Sequence, residues 1–230
     1  MKHLIVNSDD FGQTTGINRG IIECHERGVL TSASLMVDAP QAPEAVSLGR
    51  AHPELSVGLH WDVVGEDERD FDFSDATLVR EEFFAQLERF RELTGAEPTH
   101  VDSHRHTHRR PRVLEQLSEI LAPLGIPLRF DGQVEHISRF YAQWEGGTAE
   151  LEHVSVQALA QILREAVGEG WTEIACHVGY VTSDLHSSYS SEREAELRTI
   201  TDHRVRDTIE ELGIELGSYQ TFAELAGRKR

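Results

Sequence analysis

Residues 1–37 read MKHLIVNSDDFGQTTGINRGIIECHERGVLTSASLMV and carry the clearest structural pattern in the chain. The short apolar run at residues 4–6 is typical of a buried strand, and polar side chains end that run. A helical pattern follows, with isoleucines along one face and Gly28 as the C-cap. A second apolar strand is predicted over residues 29–37. The stretch therefore predicts a strand–helix–strand unit.

The same alternation of short apolar runs and longer amphipathic runs continues along the chain. Further strands are predicted over residues 55–59, 99–102, 126–130, 173–176 and 214–217, with helices over 41–51, 77–94, 111–124, 151–167 and 192–212. No linker rich in glycine, serine or proline divides this pattern. It predicts an α/β fold, an irregular or incomplete (β/α) TIM-like barrel of about seven parallel strands, as a single domain over residues 1–230. A doubly wound open sheet is the alternative.

Composition excludes several classes of protein. Lys and Arg total 22 against 40 Asp and Glu, a formal net charge of −18, and no basic run offers a face for nucleic acid. Two cysteines are too few for a disulfide framework, and no apolar run approaches the ~20 residues of a membrane span. The N-terminus turns polar too early for a signal peptide. We therefore expect a cytoplasmic protein, with the acidic loop at residues 64–76 simply solvated.

Polar side chains stand at the carboxyl ends of the predicted strands. They are Asp9 and Asp10, His60, Asp102 and His104, Arg129 and Asp131, and His177. In a parallel barrel these strand ends converge on one face, where active sites are built. The pattern therefore predicts one functional site at that face.

The adjacent carboxylates of Asp9 and Asp10 favour two separate roles. On an extended segment they point to opposite sides, so one can bind a metal while the other accepts a proton. The alternative is a helix N-cap pair, because Asp is a preferred cap. His60 taken alone is more often a packing residue than a ligand, and only its place among the other strand ends favours a role in the site.

The segment HVDSHRHTHRR at residues 100–110 is the strongest local indication of metal binding. His104, His106 and His108 alternate, so an extended backbone would place their three rings on one face. Imidazole is the commonest metal-binding side chain near neutral pH. The alternative is a histidine-rich surface loop with only adventitious affinity for metal.

Two further strand ends each admit two interpretations. His177 is either a hydrogen-bonded rim histidine or a general acid facing the metal. Strand alternation aims the neighbouring Cys176 away from His177, so we expect the thiol to be buried. Arg129 and Asp131 lie two residues apart on one strand face, where they either form a structural ion pair or orient a catalytic side chain.

Six segments, in order along nearly the whole chain, resemble one known family. They are IVNSDDFGQTTGINRGIIECHERGVLTSASLMV (5–37), VGLH (57–60), PTHVDSHRHTH (98–108), PLRFD (127–131), CHVGY (176–180) and LGSYQTF (216–222). The sequence is similar to the YdjC-like carbohydrate deacetylases, which include chitooligosaccharide deacetylases and hopanoid-biosynthesis deacetylases. The first and third segments are the long, specific ones.

The resemblance implies a barrel-like fold distantly related to polysaccharide deacetylases, in a family whose members are often dimers. It implies one divalent metal ion (Mg, Zn or another) held by Asp10, His60 and His104. Asp9 would be the catalytic base, and His177 matches the position of a general acid. The implied reaction is removal of an N-acetyl group from an amino sugar or small oligosaccharide.

Four other residues are expected to bind substrate or to support the catalytic side chains: His106, His108, Arg129 and Asp131. The sequence departs from the family in two respects. CHVGY replaces the commoner CHPGY, and the regions after His60 and between Asp131 and His153 look shorter than in the chitooligosaccharide enzymes. Because such loops shape the substrate cleft, specificity for chitobiose does not follow from the resemblance.

Three other functions compete with this interpretation. A barrel metallohydrolase acting on a different amide would need a bridging lysine or a second metal, and only Lys2 and Lys229 are present. A non-haem iron oxygenase also uses two histidines and one carboxylate, but usually on an all-β scaffold. A catalytically silent sugar-binding or metal-binding module would not need Asp9 and His177.

Overall fold

The computed structural model describes residues 1–143 and 148–227, in which strands and helices alternate. The strands are β1 (Lys2–Phe11), β2 (Ser32–Leu35), β3 (Ser56–Trp61), β4 (Val101–Ser103), β5 (Glu135–Ile137), β6 (Gly170–Cys176) and β7 (Ile214–Gly217). The helices are α1 (Thr15–Arg27), α2 (Ala42–Ala51), α3 (Ala76–Thr94), α4 (Pro111–Leu121), α5 (Val156–Ala166), α6 (Ser191–Ile200), α7 (His203–Glu211) and α8 (Tyr219–Gly227). Short 3₁₀ turns cover His104–Arg109, Ala122–Leu124 and Leu151–Val154. None of the helices in these residues is long and apolar enough to cross a membrane.

The seven strands form one parallel sheet in the order β4-β3-β2-β1-β6-β5, and β7 pairs with the first half of β1. Beyond β4, the Val101 amide donates to the Pro127 carbonyl at 2.9 Å and the Arg129 amide donates to the Val101 carbonyl at 2.9 Å. The chain then reaches β5 at the opposite edge of the sheet. Residues 127–137 therefore contact β4 at one edge of the sheet and form β5 at the other edge. The sheet accordingly curls into a half-barrel. The prediction of an incomplete, single-domain barrel with seven parallel strands is confirmed.

The fifth strand lies later in the chain than the apolar run at residues 126–130 predicts. That run contributes only an isolated bridge between Leu128 and Val101. Phe130 adopts a left-handed backbone with φ of 71°, and the Asp131 carboxylate accepts hydrogen bonds from the amides of Leu128 and Gln133. This turn ends the pairing, because a strand needs extended backbone at every residue. The regular strand is β5.

The long helix predicted over residues 192–212 is two helices. Asp202 lies between α6 and α7, and its carboxylate caps α7 by accepting a hydrogen bond from the Arg204 amide at 3.0 Å. The sequence pattern also missed α8. Apolar periodicity continues across such a break because both helices bury a face in the same core, so periodicity alone does not reveal it.

Helix α1 begins without help from the two aspartates before it. Thr14 is the N-cap, and its hydroxyl accepts a hydrogen bond from the Ile17 amide at 3.1 Å. Gly28 stands at the C-cap, as predicted. The alternative that Asp9 and Asp10 cap this helix is therefore wrong, and both carboxylates remain at the carboxyl end of β1.

Candidate active site

The carboxyl ends of β1, β3, β4 and β6 surround a cavity of about 490 Å³. The side chains from these ends that line it are Asp9, Asp10, His60, His104 and His177. Its outer walls come from β5, from the segment around Tyr141 and from helix α6. With His106, which lies on the same wall, the structure therefore brings together six of the nine predicted site residues in a single cleft.

A break in β1 turns both aspartates toward this cleft. The pairing of β1 with β2 shifts register between Ser8 and Phe11, and Asp10 has a left-handed backbone with φ of 67°. Such bulges re-aim side chains, and Asp tolerates the left-handed region better than most residues. The expectation that Asp9 and Asp10 point to opposite sides is wrong, because the backbone between them is not extended.

Asp10, His60 and His104 converge on one point. Asp10 Oδ1 lies 3.4 Å from His60 Nε2 and 3.3 Å from His104 Nδ1. No hydrogen bond reaches this buried oxygen from the described residues. The other ring nitrogen of His60, Nδ1, lies 2.6 Å from Asp102 Oδ1, which fixes the proton there and leaves the Nε2 lone pair facing Asp10. One carboxylate oxygen and two imidazole nitrogens fit a divalent transition metal ion.

Asp9 stands beside this trio as an ionised carboxylate. Arg129 donates to both of its oxygens, at 2.8 and 2.9 Å, and Asn7 Nδ2 donates at 3.0 Å. Burial alone would raise the pKa of Asp9, but the Arg129 guanidinium outweighs burial and holds that pKa well below its usual range. The carboxylate is therefore charged and fixed in orientation, which are both requirements for accepting a proton from a defined direction.

His177 faces Asp9 from the end of β6. Its Nε2 lies 3.9 Å from Asp9 Oδ2, and its ring centroid lies 5.3 Å from that of Tyr189. Burial lowers the pKa of His177, although the charges of Asp9 and Asp10 oppose this. The backbone N–H of His177 donates to Glu196 on α6, so the chain at this position is anchored from outside the sheet. Cys176 is buried, as expected from strand alternation.

Arg129 lies under the cleft, where it bonds three carboxylates. Besides Asp9, it contacts Asp102 Oδ2 at 2.8 Å and Glu173 at 2.7 Å. Asp131 is not its partner, because that carboxylate bonds backbone amides in the turn at the end of the segment. The interpretation that Arg129 and Asp131 form a structural ion pair is therefore wrong. Arg129 instead holds Asp9, the other arrangement that the sequence left open.

The three alternating histidines do not share a face. They lie on the 3₁₀ turn after β4, where Arg105 and His106 both have left-handed backbones with φ of 53° and 51°. Of the three, only His104 faces Asp10. His108 is buried, with Nδ1 2.6 Å from Ser103 Oγ and Nε2 3.1 Å from the Arg129 carbonyl. The expectation of an extended segment is wrong because two consecutive left-handed residues rotate each ring to a different direction.

His106 lies on the cavity wall between His104 and β5. Its ring packs edge-on against Phe130 and against His136, with centroids 5.5 and 5.7 Å apart. Burial lowers the pKa of His106 to about 3, so its imidazole is neutral. Its Nδ1 is buried without a hydrogen-bond partner in the described residues.

Sequence reasoning missed several charged residues that complete the site. Arg193 on α6 donates to Asp10 Oδ2 at 2.7 Å, and Glu196 lies one turn further along the same helix. Glu173 stands in the middle of β6, bound to Arg129. One indication was visible in the sequence: a carboxylate inside the otherwise apolar run WTEIAC marks a buried charge that needs a partner.

Comparison with known proteins finds a matching family and similar chains. A family model described as "YdjC-like protein" matches residues 3–211. A carbohydrate deacetylase from Geobacillus stearothermophilus is 33% identical, over 97% of this chain and 99% of the relative. A solved structure from Enterococcus faecalis, of a protein suggested to cleave cellobiose phosphate, is 27% identical with a TM-score of 0.83, covering 96% of this chain and 98% of that one.

A more distant solved structure shares the fold alone. The family 4 carbohydrate esterase from Streptomyces lividans, in complex with acetate, is 15% identical with a TM-score of 0.58. The alignment covers 96% of this chain and 95% of that one. The curled parallel sheet with its outer helices is therefore the same barrel-like architecture.

Proposed function

The chain belongs to the YdjC-like protein family, and we propose that it is a carbohydrate deacetylase that hydrolyses the N-acetyl group of an amino sugar or small oligosaccharide. One observation carries the proposal. An ionised carboxylate, Asp9, and a histidine, His177, face each other beside the Asp10–His60–His104 trio in one cleft. Amide hydrolysis needs a group that accepts a proton from water and a group that donates one to the departing amine.

The residues that would hold a divalent cation are Asp10, His60 and His104. When bound, such a cation supplies a Lewis acid that polarises the acetyl carbonyl and lowers the pKa of water. Two residues outside the trio, one carboxylate and one guanidinium, prepare its members. Asp102 fixes the tautomer of His60, and Arg193 occupies Asp10 Oδ2, so that Oδ1 alone faces the imidazoles.

Asp9 acts as the base in this proposal. It takes a proton from the attacking water while the oxygen forms a bond to the acetyl carbon. Arg129 holds the carboxylate in place, and it shares its charge with Asp102 and Glu173, which limits how far it weakens Asp9 as a proton acceptor. The two hydrogen bonds to Arg129 fix the direction from which Asp9 receives the proton.

His177 acts as the acid. It protonates the amide nitrogen as the carbon–nitrogen bond breaks, so that an amine leaves rather than its unstable anion. Because Nε2 lies 3.9 Å from Asp9 Oδ2, the proton taken by Asp9 can return to His177 after acetate and amine depart. Burial lowers the pKa of His177, and the charges of Asp9 and Asp10 limit that lowering.

The remaining predicted residues take supporting roles. His106, neutral and with an unsatisfied nitrogen on the cavity wall, would contact a sugar hydroxyl. His108 binds the Arg129 carbonyl, and Asp131 closes the turn that carries Arg129. The last two therefore position the arginine that holds Asp9.

The proposal is tested by incubating the purified protein with N-acetylated sugars, from monosaccharides to chitobiose and a lipid-linked glycan. Acetate release is measured after chelation and again after addition of Zn²⁺ or Mg²⁺. We expect release that chelation abolishes and metal restores. Stoichiometric metal without release from any sugar would favour a binding module or a different amide, and a chain that binds no metal would contradict the site itself.

Two competing functions fit the structure poorly. An oxygenase with two histidines and a carboxylate would usually stand on an all-β scaffold, whereas this sheet is parallel and flanked by helices. A metallohydrolase with a bridging lysine would need that lysine in the cleft. Lys2 begins β1, at the opposite end from the site, and Lys229 lies outside the described residues.

A further inference from the structure

The acidic loop after β3 reaches back to the cleft instead of projecting into solvent. Glu66 lies on this loop, and its side chain is only 25% exposed. It lines the cavity of about 490 Å³ and also a neighbouring cavity of about 520 Å³. Glu66 is therefore a wall residue of the site, although the composition of the loop predicts only a solvated segment.

The two imidazoles facing Asp10 differ in what supports them from behind. His60 is held by the fully buried Asp102 carboxylate at 2.6 Å. His104 turns Nδ1 toward Asp10, and its other nitrogen, Nε2, is buried without a hydrogen-bond partner in the described residues. The carboxylate nearest to that nitrogen is Glu66, whose Oε1 lies 3.7 Å away.

Glu66 is held at this place by the residues that follow the two ligand positions. Gln13, three residues after Asp10, donates to Glu66 Oε1 at 2.7 Å. Arg105, directly after His104, donates to the Glu66 carbonyl at 3.2 Å and pairs with Glu68 at 2.6 Å. Gln13 also lies 3.5 Å from Arg193, which binds Asp10. These contacts form a closed ring around Asp10.

We propose that Glu66 is the positioning residue for His104, a role that rests on the metal-dependent function proposed above. Its carboxylate accepts the Nε2–H of His104, which keeps the ring oriented with Nδ1 toward the cation and strengthens that nitrogen as a donor. Histidine ligands generally donate their second ring N–H to such a partner, and losing it weakens metal affinity by about 10- to 100-fold. Each imidazole of the trio then has its own carboxylate, one from the sheet and one from the acidic loop.

The test compares Glu66→Ala and Glu66→Gln with the full-length wild-type protein. Each protein is stripped with chelator and titrated with Zn²⁺ by calorimetry. We expect Glu66→Ala to bind Zn²⁺ about 10- to 100-fold more weakly. Glu66→Gln retains an acceptor oxygen at the same place, so its affinity should lie between the two. Urea unfolding of the metal-free proteins checks that both variants fold like wild type.

The matched control is Glu68→Ala, which removes the neighbouring carboxylate of the same loop. Its exposed pair with Arg105 contributes at most about 1 kcal/mol, so Zn²⁺ affinity should stay within about fivefold of wild type. A second measurement reads the proposed bond directly. In ¹⁵N-labelled, Zn²⁺-loaded protein, the His104 Nε2–H resonance should be protected from exchange with water, and Glu66→Ala should abolish that protection.

Three results would overturn the inference. Glu66→Ala could bind Zn²⁺ as tightly as wild type, or Glu68→Ala could weaken binding as much as Glu66→Ala does, which would assign the effect to loop closure. The third result is unchanged protection of the His104 Nε2–H proton in Glu66→Ala, which would also overturn the inference. In each case wild type still binds Zn²⁺, so the proposed function survives. A wild-type protein that binds no Zn²⁺ would overturn the metal site together with this inference.

Discussion

The buried carboxyl groups at the floor of the cleft are ionised, whereas the one in its wall is neutral. The floor cluster consists of Asp9, Asp102 and Glu173 around Arg129. The wall carboxylate is Glu196 on α6, which is fully buried and accepts hydrogen bonds from the His177 N–H and the Tyr189 hydroxyl. Both sets are buried and hydrogen-bonded, but among the described residues only the floor cluster has a guanidinium within bonding distance.

That guanidinium decides the direction of the pKa shifts. Burial alone would raise the pKa of every carboxyl in both groups, and Arg129 reverses this for Asp9, Asp102 and Glu173, whose pKa values are lowered. Burial raises the pKa of Glu196 to about 8, because its hydrogen bonds only partly replace the lost hydration. One shared cation, rather than hydrogen bonding alone, therefore keeps the floor of the site charged.

The largest effect is expected when the cation is removed from the floor cluster. Arg129→Met leaves three buried carboxylates without their common partner, so we expect a loss of about 3–5 kcal/mol in the free energy of unfolding and no detectable acetate release. Urea unfolding followed by circular dichroism measures the loss. Arg139→Met is the control, because its exposed pair with Glu165 contributes at most about 1 kcal/mol. Equal stability of the two variants would contradict the role of Arg129.

The next largest effect is expected from neutralising one floor carboxylate without removing the metal trio. Asp9→Asn should lower kcat about 10²- to 10⁴-fold, because it removes the proposed proton acceptor. Bound metal, measured by plasma mass spectrometry, should remain stoichiometric. His104→Ala provides the contrast and should lose metal and turnover together. Loss of metal from Asp9→Asn, or full activity of His104→Ala, would show that the roles are assigned wrongly.

The wall carboxylate should produce a dependence of stability on pH that the floor cluster does not. Glu196 is neutral in the folded state up to its pKa of about 8, whereas in the unfolded chain it ionises above about 4.5. The stability that it contributes is therefore complete below pH 4.5 and is lost as the pH rises toward 8, by about 1.4 kcal/mol per pH unit.

Glu196→Gln, which resembles the neutral acid in shape, removes this dependence. Urea unfolding at pH 5, 6.5 and 8 should show the variant becoming steadily more stable relative to wild type as the pH rises. The sign is opposite for the floor cluster, whose lowered pKa values contribute stability above pH 4 that is lost on acidification. A difference between the two proteins that does not change with pH would mean that Glu196 is ionised when folded.

The smallest effect concerns one hydrogen bond to the wall carboxylate. Tyr189→Phe removes the hydroxyl that donates to Glu196 and accepts from the Ala142 amide, so it should cost about 1–2 kcal/mol of stability at pH 7. The control is Tyr180→Phe, whose hydroxyl binds Glu23 near the surface, with an expected cost under about 0.5 kcal/mol. Equal costs would show that burial adds nothing to the Tyr189 hydrogen bond.

Much of the architecture followed from periodicity in the sequence. Alternating apolar runs predict the parallel half-barrel, and the polar residues at strand ends indicate Asp9, Asp10, His60, His104 and His177 as site residues. The physical reason is that parallel strands end on one face, so residues far apart in sequence must meet there. The fifth strand was misplaced because a short apolar run does not reveal the left-handed residue that ends it.

The detailed positions of the side chains did not follow from periodicity. The bulge at Asp10 and the paired left-handed residues Arg105 and His106 redirect side chains, and non-glycine residues give no local indication of such backbone conformations. Arg193 and Glu196 lie in a helix rich in charged residues, where no local pattern distinguishes a buried charge from an exposed one. Only the packing of α6 over the cleft buries them and gives each a partner.

Local hydrophobic patterns and the geometry of parallel strands are enough to predict the alternation of strands and helices, the face on which the site forms and the residue types available there. Packing of distant segments sets which carboxylate is charged, which nitrogen of each histidine faces Asp10, and that the acidic loop lies at the site. Charge state and orientation depend on burial and on partners more than 100 residues away, as in the contact between Asp9 and Arg129.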